Sequence, residues 1–499
     1  MYRRALLRSS TLALLAPGLL LSACGGSDDS APAPPAPPPK GAVHLLSTTP
    51  NNGAPALTKA AGLVADDIGG AWLVAVHRMP PNCSIGASES SAPDLVLSRV
   101  DLASGQWSAP TVLQAEHVDN PLLVQGTAGA MLLVYQESDA VGSRTMWRRF
   151  DPGTAAWSAA QPLPDLAYPN AASTVLCAMP DGGALLGWTV PSDEVGKDSA
   201  RVMRFDAGRQ AWTGAQTVGA DTSWGLPGRK GLVVDPEGRA VWLSGVGVLS
   251  VGPLTVWHNE PGDDTWHPVV LPLPGTGRLS HGVRDIGMDG QGNALVIWVE
   301  SDAASATTTP RVRGQLMTAR CAVGTRTWTV RPVPLDQFQE PTTLALSLQV
   351  DRAGNAWVYG NTEGHVYRCD AATDSWQRFN LSDIAPAAQA GTGFPFQLDH
   401  QGNAFIAGGH AITPREAPRV WWNRYSVAEG QWQGAMDVVV DAPEVNDQPF
   451  ADSARRLTLP WIGTAVDGRA AMVIAESIPV GGIRCFGDSA VRLWGTVLR

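Results

Sequence analysis

The sequence is poor in charge and poor in helical patterning. Only 16% of its 499 residues are charged, and the formal net charge of −10 leaves no basic patch for nucleic acid. The acidic balance is more simply a solubility feature. Since glycine and proline are abundant, at 53 and 39 residues, turns are frequent and long amphipathic helical patterns are hard to find. These features argue against a nucleic-acid partner and a helical body.

Motifs of the common catalytic classes are also missing. There is no Gly-x-Ser-x-Gly elbow, His-Glu-x-x-His helix, phosphate-binding loop or dinucleotide fingerprint. The nine histidines are scattered without metal-ligand spacing, and no cysteines form a Cys-x-x-Cys pair. Asp-rich turns supply one carboxylate each, whereas calcium takes about six to eight oxygen ligands. We therefore expect no metal and no cofactor, and the sequence identifies no catalytic residue.

The N-terminus has the pattern of an export signal. Three arginines precede an apolar run at 11–21, which is too short to span a bilayer. The run ends in Leu-Ser-Ala-Cys-Gly at 21–25, which closely resembles the bacterial lipobox. The resemblance implies a lipoprotein signal peptide at 1–23, lipid on Cys24 and, because Gly25 follows in place of Asp, delivery to the outer membrane. The alternative is an ordinary secretory signal with a chance cysteine.

Residues 24–40 read as a tether. Ala and Pro follow one another almost without interruption at 31–39. Such a segment cannot bury a core and favours a polyproline II spacer of ~3.1 Å per residue. We expect it to hold a monomeric domain, residues 41–499, away from a lipid surface of the cell envelope.

Two alternating signals fill that domain. The first is a short turn of Asp, Gly and Asn between two apolar runs, with Ala opening the second run, which indicates a hairpin. It is clearest at 233–242, 288–298, 350–357 and 398–405, and looser copies end at Ala71, Ala130, Ala184 and Ala470. The second is an apolar strand, a turn and a Trp. These tryptophans are Trp107, Trp157, Trp212, Trp266, Trp328, Trp376 and Trp432.

The spacing of the two signals predicts an all-β fold, a single β-propeller. From Trp212, and from the next three repeat tryptophans, the following repeat Ala lies 28 residues on. Each unit of about 55 residues holds two hairpins, the content of one propeller blade. We predict eight four-stranded blades, with seven as the alternative. Since the chain ends before the last blade has a fourth strand, the N-terminal segment at 41–47 should complete that blade and close the ring.

Five cysteines remain beside Cys24. Cys83 and Cys485 both fall between the second and third strands, in the first and last units, which a closed ring makes neighbours, so we hypothesise that they form a disulfide. Cys321 and Cys369 occupy equivalent sites in adjacent units, and such sites are usually too far apart to bridge. Cys177 is expected to be a buried single thiol.

Part of the repeat resembles a known family. Phe150-Asp151, Thr154 and Trp157 approximate the kelch pattern Tyr-Asp-x-x-Thr-x-x-Trp. The Asp-x-x-Gly-Asn-Ala half is similar instead to secreted bacterial repeat proteins. Both resemblances imply a propeller, and neither specifies a chemistry.

A binding site is expected on the face that carries the variable loops. The connections between units each hold one large ring, which either fills a gap between blades or contributes to an aromatic mouth that stacks sugar or peptide. The candidate ligand-binding residues are Tyr168, Trp224, His281, Phe338 and Phe394.

Two functions are compatible with these patterns. The first is an outer-membrane or cell-surface lipoprotein whose propeller binds a protein or glycan partner as a scaffold. The alternative is an envelope enzyme, such as a glycosidase, a lyase or a quinone-dependent dehydrogenase, that uses the central pocket. Glu137, Glu300 and Glu476 recur after the second strand and could serve as paired carboxylates. The missing motifs favour the first function.

Overall fold

Eight small antiparallel sheets make up almost all the regular structure in the computed structural model of this chain. The described residues all belong to one compact unit, Lys40–Arg499. They are residues 44–45, 57–78, 94–114, 118–138, 142–164, 174–190, 199–219, 231–243, 254–272, 278–302, 312–334, 338–340, 346–360, 365–385, 394–409, 419–439, 456–465, 467–479 and 489–498.

The first four sheets follow one another along the chain, and we number them as blades 1 to 4. Blade 1 has β2 (Leu57–Ala65), β3 (Gly70–Arg78), β4 (Asp94–Asp101) and β5 (Thr111–Gln114). Blade 2 has β6 (Val118–Gln125), β7 (Met131–Ser138), β8 (Ser143–Asp151), β9 (Ala156–Trp157) and β10 (Gln161–Pro162). Blade 3 has β11 (Val175–Ala178), β12 (Ala184–Val190), β13 (Ser199–Asp206), β14 (Ala211–Trp212) and β15 (Gln216–Gly219). Blade 4 has β16 (Leu232–Val234), β17 (Ala240–Leu243), β18 (Thr255–Asn259) and β19 (His267–Val270).

Blades 5 to 8 repeat the arrangement. Blade 5 has β20 (Arg278–Met288), β21 (Ala294–Asp302), β22 (Val312–Cys321), β23 (Trp328–Pro332) and β24 (Phe338–Glu340). Blade 6 has β25 (Leu346–Val350), β26 (Ala356–Gly360), β27 (His365–Asp370) and β28 (Ser375–Asn380), followed by the short helix α1 (Leu381–Ile384). Blade 7 has β29 (Phe396–Leu398), β30 (Ala404–Gly409), β31 (Arg419–Ser426), β32 (Gln431–Trp432) and β33 (Met436–Val439). Blade 8 has β34 (Arg456–Thr464), β35 (Ala470–Pro479), β36 (Ser489–Leu498) and β1 (His44–Leu45).

Blades 1 to 7 pair their strands in chain order, from the innermost to the outermost, and in blade 8 the outermost strand is β1. In blades 2, 3, 5 and 7 the outermost strand is divided into two short segments that both pair with the third strand, for example β14 and β15 with β13. Within the described ranges, no helix is long and apolar enough to cross a membrane.

The eight sheets close into a ring. The first strand of each blade contacts the first strand of the next, and β2 of blade 1 contacts both β6 and β34. The seam between the last and first blades is tight, because a Cβ added at Gly463 would lie 2.9 Å from Cγ of Leu63. The prediction of an eight-bladed propeller is therefore confirmed.

The N-terminal strand completes the last blade as predicted. His44 lies opposite Gly495 and Leu45 opposite Trp494, in antiparallel register with β36. The two ends of the domain therefore meet in one sheet, which covers part of an edge that would otherwise expose backbone hydrogen-bonding groups.

The core lies between the blades rather than within one of them. Between blades 4 and 5, for instance, Val241 and Val256 pack with Val296 and Trp298, and all four are buried. Glycines make room for rings where two sheets approach closely. Gly187 of blade 3 has no side chain because the ring of Trp242 in blade 4 occupies that space.

The strand order gives the ring two distinct faces. The turn face carries the turns between first and second strands and between third and fourth strands. The loop face carries the connections between second and third strands and between blades. In all eight blades the first of these turns has the same length: Val234 pairs with Ala240, and Gln125 pairs with Met131. The repeat position in blade 2 is thus Met131, and the assignment to Ala130 was off by one residue.

Candidate functional site

The turn face is built from carboxylates that are fully engaged by their own turns. In blade 7, Oδ1 of Asp399 accepts backbone N–H bonds from Gln401 at 2.8 Å and Asn403 at 2.9 Å. The other oxygen, Oδ2, accepts from Nδ2 of Asn403 at 2.7 Å. The same bonds recur in blades 5 and 6, where the aspartates are Asp289 and Asp351. These aspartates therefore cap their own turns through side-chain hydrogen bonds.

The asparagine of the repeat joins the two turns of one blade. In blade 7, Oδ1 of Asn403 accepts from the backbone N–H of Val427 at 3.0 Å, in the turn between the third and fourth strands. Asn355 makes the equivalent bond to Ala371, and Asn293 to Val323. This confirms that the two kinds of turn share one face.

Three turns lack the repeated aspartate but obtain a carboxylate from elsewhere. In blades 3 and 8 the carboxylate moves two positions along the turn, to Asp181 and Asp467. In blade 2 it comes from the neighbouring blade, where Asp67 accepts from the backbone N–H of Ala128 at 2.8 Å. The repeat pattern does not predict the role of Asp67 in blade 2, because Asp67 belongs to the turn of another blade.

Arginines neutralise several of these groups. Nε of Arg99 lies 2.8 Å from Oδ2 of Asp66, and Arg204 lies 2.6 Å from Asp181. Arg239 pairs with Asp235, whose side chain is fully buried. The carboxylates of Asp66 and Asp235 are therefore buried parts of the scaffold.

A small cavity opens between blades 4 and 5 on the turn face. It is lined by Asp235, Arg239, His258 and Cys321, among others. Burial, Arg326 and His267 lower the pKa of His258 to about 4, and burial raises the pKa of the Cys321 thiol. At neutral pH the cavity therefore presents an uncharged imidazole and an uncharged thiol, which is a poor arrangement for nucleophilic catalysis.

The pairing of the innermost strands with their neighbours is regular next to the turn face and is interrupted farther from it. Register shifts interrupt the pairing of the first strand with the second in blades 1, 2, 5 and 8. In each of these blades the pairing is regular from the shift to the turn. Bulges of this kind turn side chains in new directions and are common beside functional sites.

Blade 2 shows the side chains at such a bulge. Asn120 has a φ of 49°, in the left-handed region, and its backbone N–H donates to Oδ1 of Asp119 at 3.0 Å. Nδ2 of Asn120 donates to Oε1 of Gln136 on the second strand at 3.2 Å. A non-glycine residue held at positive φ is uncommon and concentrates at functional sites. We call Asp119, Asn120 and Gln136, which lie near the loop-face ends of β6 and β7, the channel mouth.

Three of the five predicted ring residues are within the described ranges. His281 is in β20, an innermost strand, beside the register shift of blade 5, whereas Phe338 opens β24 in the outermost position of the same blade. The two therefore differ in radial position, and both are in strands rather than in connections. Phe394 is 7% exposed and packs on Trp421, with ring centroids 5.6 Å apart.

Other predicted site residues fall outside the described residues. These are the lipidation site Cys24, the hypothesised disulfide pair Cys83 and Cys485, and the ring residues Tyr168 and Trp224. Cys177, Cys321 and Cys369 form no disulfide, so the prediction that the equivalent Cys321 and Cys369 do not bridge is confirmed. Cys177 is half-buried, and the prediction that it is buried is wrong.

The recurrent glutamates occupy one equivalent position in blades 2, 5 and 8. Glu300 is 2% exposed, and its Oε1 accepts from Nε1 of Trp298 at 3.1 Å. Since two blades separate Glu137 from Glu300, and two more separate Glu300 from Glu476, the fold spreads them around the ring. Within the described ranges, no three His, Cys, Asp or Glu side chains are placed to hold a metal ion.

No protein-family model matches the sequence, and no curated protein matches it. Among solved structures, an ulvan lyase of a polysaccharide lyase family is 11% identical, covers 76% of this chain and 93% of its own, and has a TM-score of 0.43. An α-L-arabinanase of Penicillium chrysogenum is 11% identical, with 58% and 88% coverage and a TM-score of 0.37. A Dyadobacter fermentans protein of unknown function is 10% identical, with 91% and 99% coverage and a TM-score of 0.34. These distant similarities say nothing about the activity of this chain.

Proposed function

We propose that this chain is a lipid-anchored protein of the bacterial cell envelope whose propeller binds a glycan or protein partner at the channel mouth. The observation that carries the proposal is the contrast between the two faces. On the turn face, carboxylate and amide groups are bonded to the turns. On the loop side, bulges and a strained asparagine hold polar groups in positions that the repeat does not need.

The chemistry of the channel mouth fits recognition of hydroxyl or amide groups. Asp119 offers carboxylate oxygens, and the half-buried amides of Asn120 and Gln136 provide both donors and acceptors beside it. Polar groups of this kind, fixed by bonds to one another, orient a ligand without having to order themselves on binding. The lipid anchor is supported by the lipobox-like sequence around Cys24.

The test uses the full chain extracted in detergent. Mass spectrometry of its N-terminal peptide should show diacylglycerol on Cys24, and Cys24→Ser should abolish membrane association. Glycan arrays and envelope-protein pulldowns then supply a ligand. Asp119→Ala should weaken its binding at least tenfold, which is about 1.4 kcal/mol.

The matched control is Glu237→Ala, because Glu237 is an exposed carboxylate on the turn face. It should leave binding unchanged. Equal losses in the two variants, or no loss with Asp119→Ala, would contradict the assignment of the site. Cleavage of the bound glycan, seen as new reducing ends or unsaturated products, would favour the enzyme alternative instead.

A further inference from the structure

One hydrogen bond crosses the seam between blades 4 and 5 through a titratable ring. Nε1 of Trp328, the first residue of β23, donates to Nε2 of His258 in β18 at 3.0 Å. The two ring centroids are 5.7 Å apart, and both side chains are buried, each 7% exposed. The bond requires that Nε2 carries no proton, since it acts as the acceptor.

His258 is an exception in the repeat. The equivalent position of the third strand, opposite the second residue of the second strand, is an arginine in six other blades. These arginines are Arg99, Arg149, Arg204, Arg320, Arg368 and Arg424. Only in blade 4 does this register position, opposite Val241, hold a histidine.

The partner tryptophan is exceptional as well. At four other repeat tryptophans the buried Nε1 has no hydrogen-bond partner among the described residues. They are Trp107, Trp212, Trp266 and Trp432. At those positions the indole is held by packing. No hydrogen bond of the indole N–H there can be broken by protonation.

Two neighbours, Arg326 and His267, disfavour a positive charge on the ring of His258. Arg326 precedes Trp328 in the turn of blade 5, and His267 lies directly opposite His258 on β19. His267 is itself paired with Asp263 at 2.8 Å. On the cavity side lie the Asp235–Arg239 pair and Glu260. The only other titratable group at the cavity is the thiol of Cys321.

We propose that acid opens the seam between blades 4 and 5 at the contact between His258 and Trp328. A proton on Nε2 removes the acceptor and turns an N–H toward the N–H of the indole. The ring of Trp328 then leaves its place, and the cavity beside it, with Cys321 in its wall, becomes accessible to solvent. The blade contacts at Trp107, Trp212, Trp266 and Trp432 lack this titratable bond and stay closed.

The direction of the effect follows from the pKa of His258, which burial first, then Arg326 and His267, lower to about 4. In the opened state the imidazole regains its ordinary pKa of 6.5. The closed seam is therefore most stable above pH 6.5 and loses stability as the pH falls toward 4. Between pH 7.5 and pH 5 the opening equilibrium should rise about 30-fold.

The experiment uses Cys321 as a reporter of the opening. An aromatic disulfide such as dithiodipyridine labels thiols even in mild acid, and mass spectrometry of the peptides gives the rate at each cysteine. The labelling rate of Cys321, divided by that of the buried Cys369 at the same pH, should rise about 30-fold between pH 7.5 and pH 5. Loss of thiolate alone would change the rate in the opposite direction.

Cys369 is the internal control. It is also buried, at 0% exposed, but it lies at the equivalent site of blade 6, away from His258. Its labelling rate should not rise. His258→Gln keeps an acceptor for Trp328 but does not titrate, so labelling of Cys321 should become independent of His258 protonation.

Two results would overturn the proposal. One is an equal rise at Cys321 in the wild type and in His258→Gln. The other is a parallel rise at Cys321 and Cys369, which would indicate general unfolding. Should His258→Gln fail to fold, the comparison of the two thiols in the wild-type chain still decides between a local and a general opening.

Discussion

The contact between the turns of neighbouring blades can be tested at a single residue, Gly402. Gly402 sits in the turn of blade 7 with a φ of +84°, and a Cβ added there would lie 2.5 Å from Oδ2 of Asp351 in blade 6. Asp351 cannot move away freely, since that same oxygen accepts from Nδ2 of Asn355 at 2.8 Å. Gly402→Ala should therefore disturb both the backbone of one blade and the carboxylate of the next.

The expected loss of stability in Gly402→Ala has two parts. An alanine forced into the left-handed region costs roughly 1–2 kcal/mol. Displacing a charged acceptor from its buried partner adds roughly 1.5–3 kcal/mol. Gly402→Ala should thus lower the free energy of unfolding by roughly 2.5–5 kcal/mol, read from urea unfolding at constant slope.

Gly262→Ala separates the two parts. Gly262 has a similar φ of +79°, but an added Cβ would meet no atom within 4 Å. The variant Gly262→Ala should lower the free energy of unfolding only by the backbone part, roughly 1–2 kcal/mol. Equal losses in the two variants would refute the idea that neighbouring turns lock the blades together.

Three further results are expected. Gly187→Ala should lower the free energy of unfolding by roughly 1–3 kcal/mol, because the new methyl group would overlap the ring of Trp242; an unchanged urea midpoint would count against this packing. Asn355→Ala leaves a backbone N–H without its 3.0 Å acceptor and should lower the melting temperature, by roughly 1–3 kcal/mol in free energy; an unaltered melting curve would speak against the bridge between turns. Since burial raises the pKa of the thiols of Cys321 and Cys369, both should alkylate far more slowly than glutathione at pH 8, and rapid alkylation would contradict their burial.

The repeat made much of the fold predictable from the sequence. A turn that needs positive φ accepts little except glycine, so all eight turns between first and second strands keep one, as Gly402 illustrates. The alternation of those turns with tryptophan hairpins was enough to predict the blades, their number and the closing strand. The single misplaced repeat position, Ala130 for Met131, arose where an alanine happened to stand one residue early.

The candidate site was less predictable, because it depends on departures from the repeat. A β-bulge adds a residue to one strand without a residue type that marks it, so the channel mouth at Asp119 and Asn120 was missed. The Asn120-Pro121 dipeptide was a local signal that could have drawn attention to it. Partners from another blade, such as His258 for Trp328, are invisible until the ring is closed.

Closure of the ring by the N-terminal strand is tested most directly by deleting residues 41–48. This removes β1, which pairs with β36 through His44 and Leu45. Deletion of residues 31–38, from the segment rich in Pro and Ala, is the matched control of equal length and should leave the melting temperature unchanged. The first deletion should lower the melting temperature of the whole domain in one cooperative transition. An unchanged melting temperature in both deletions would contradict the closed eight-bladed ring.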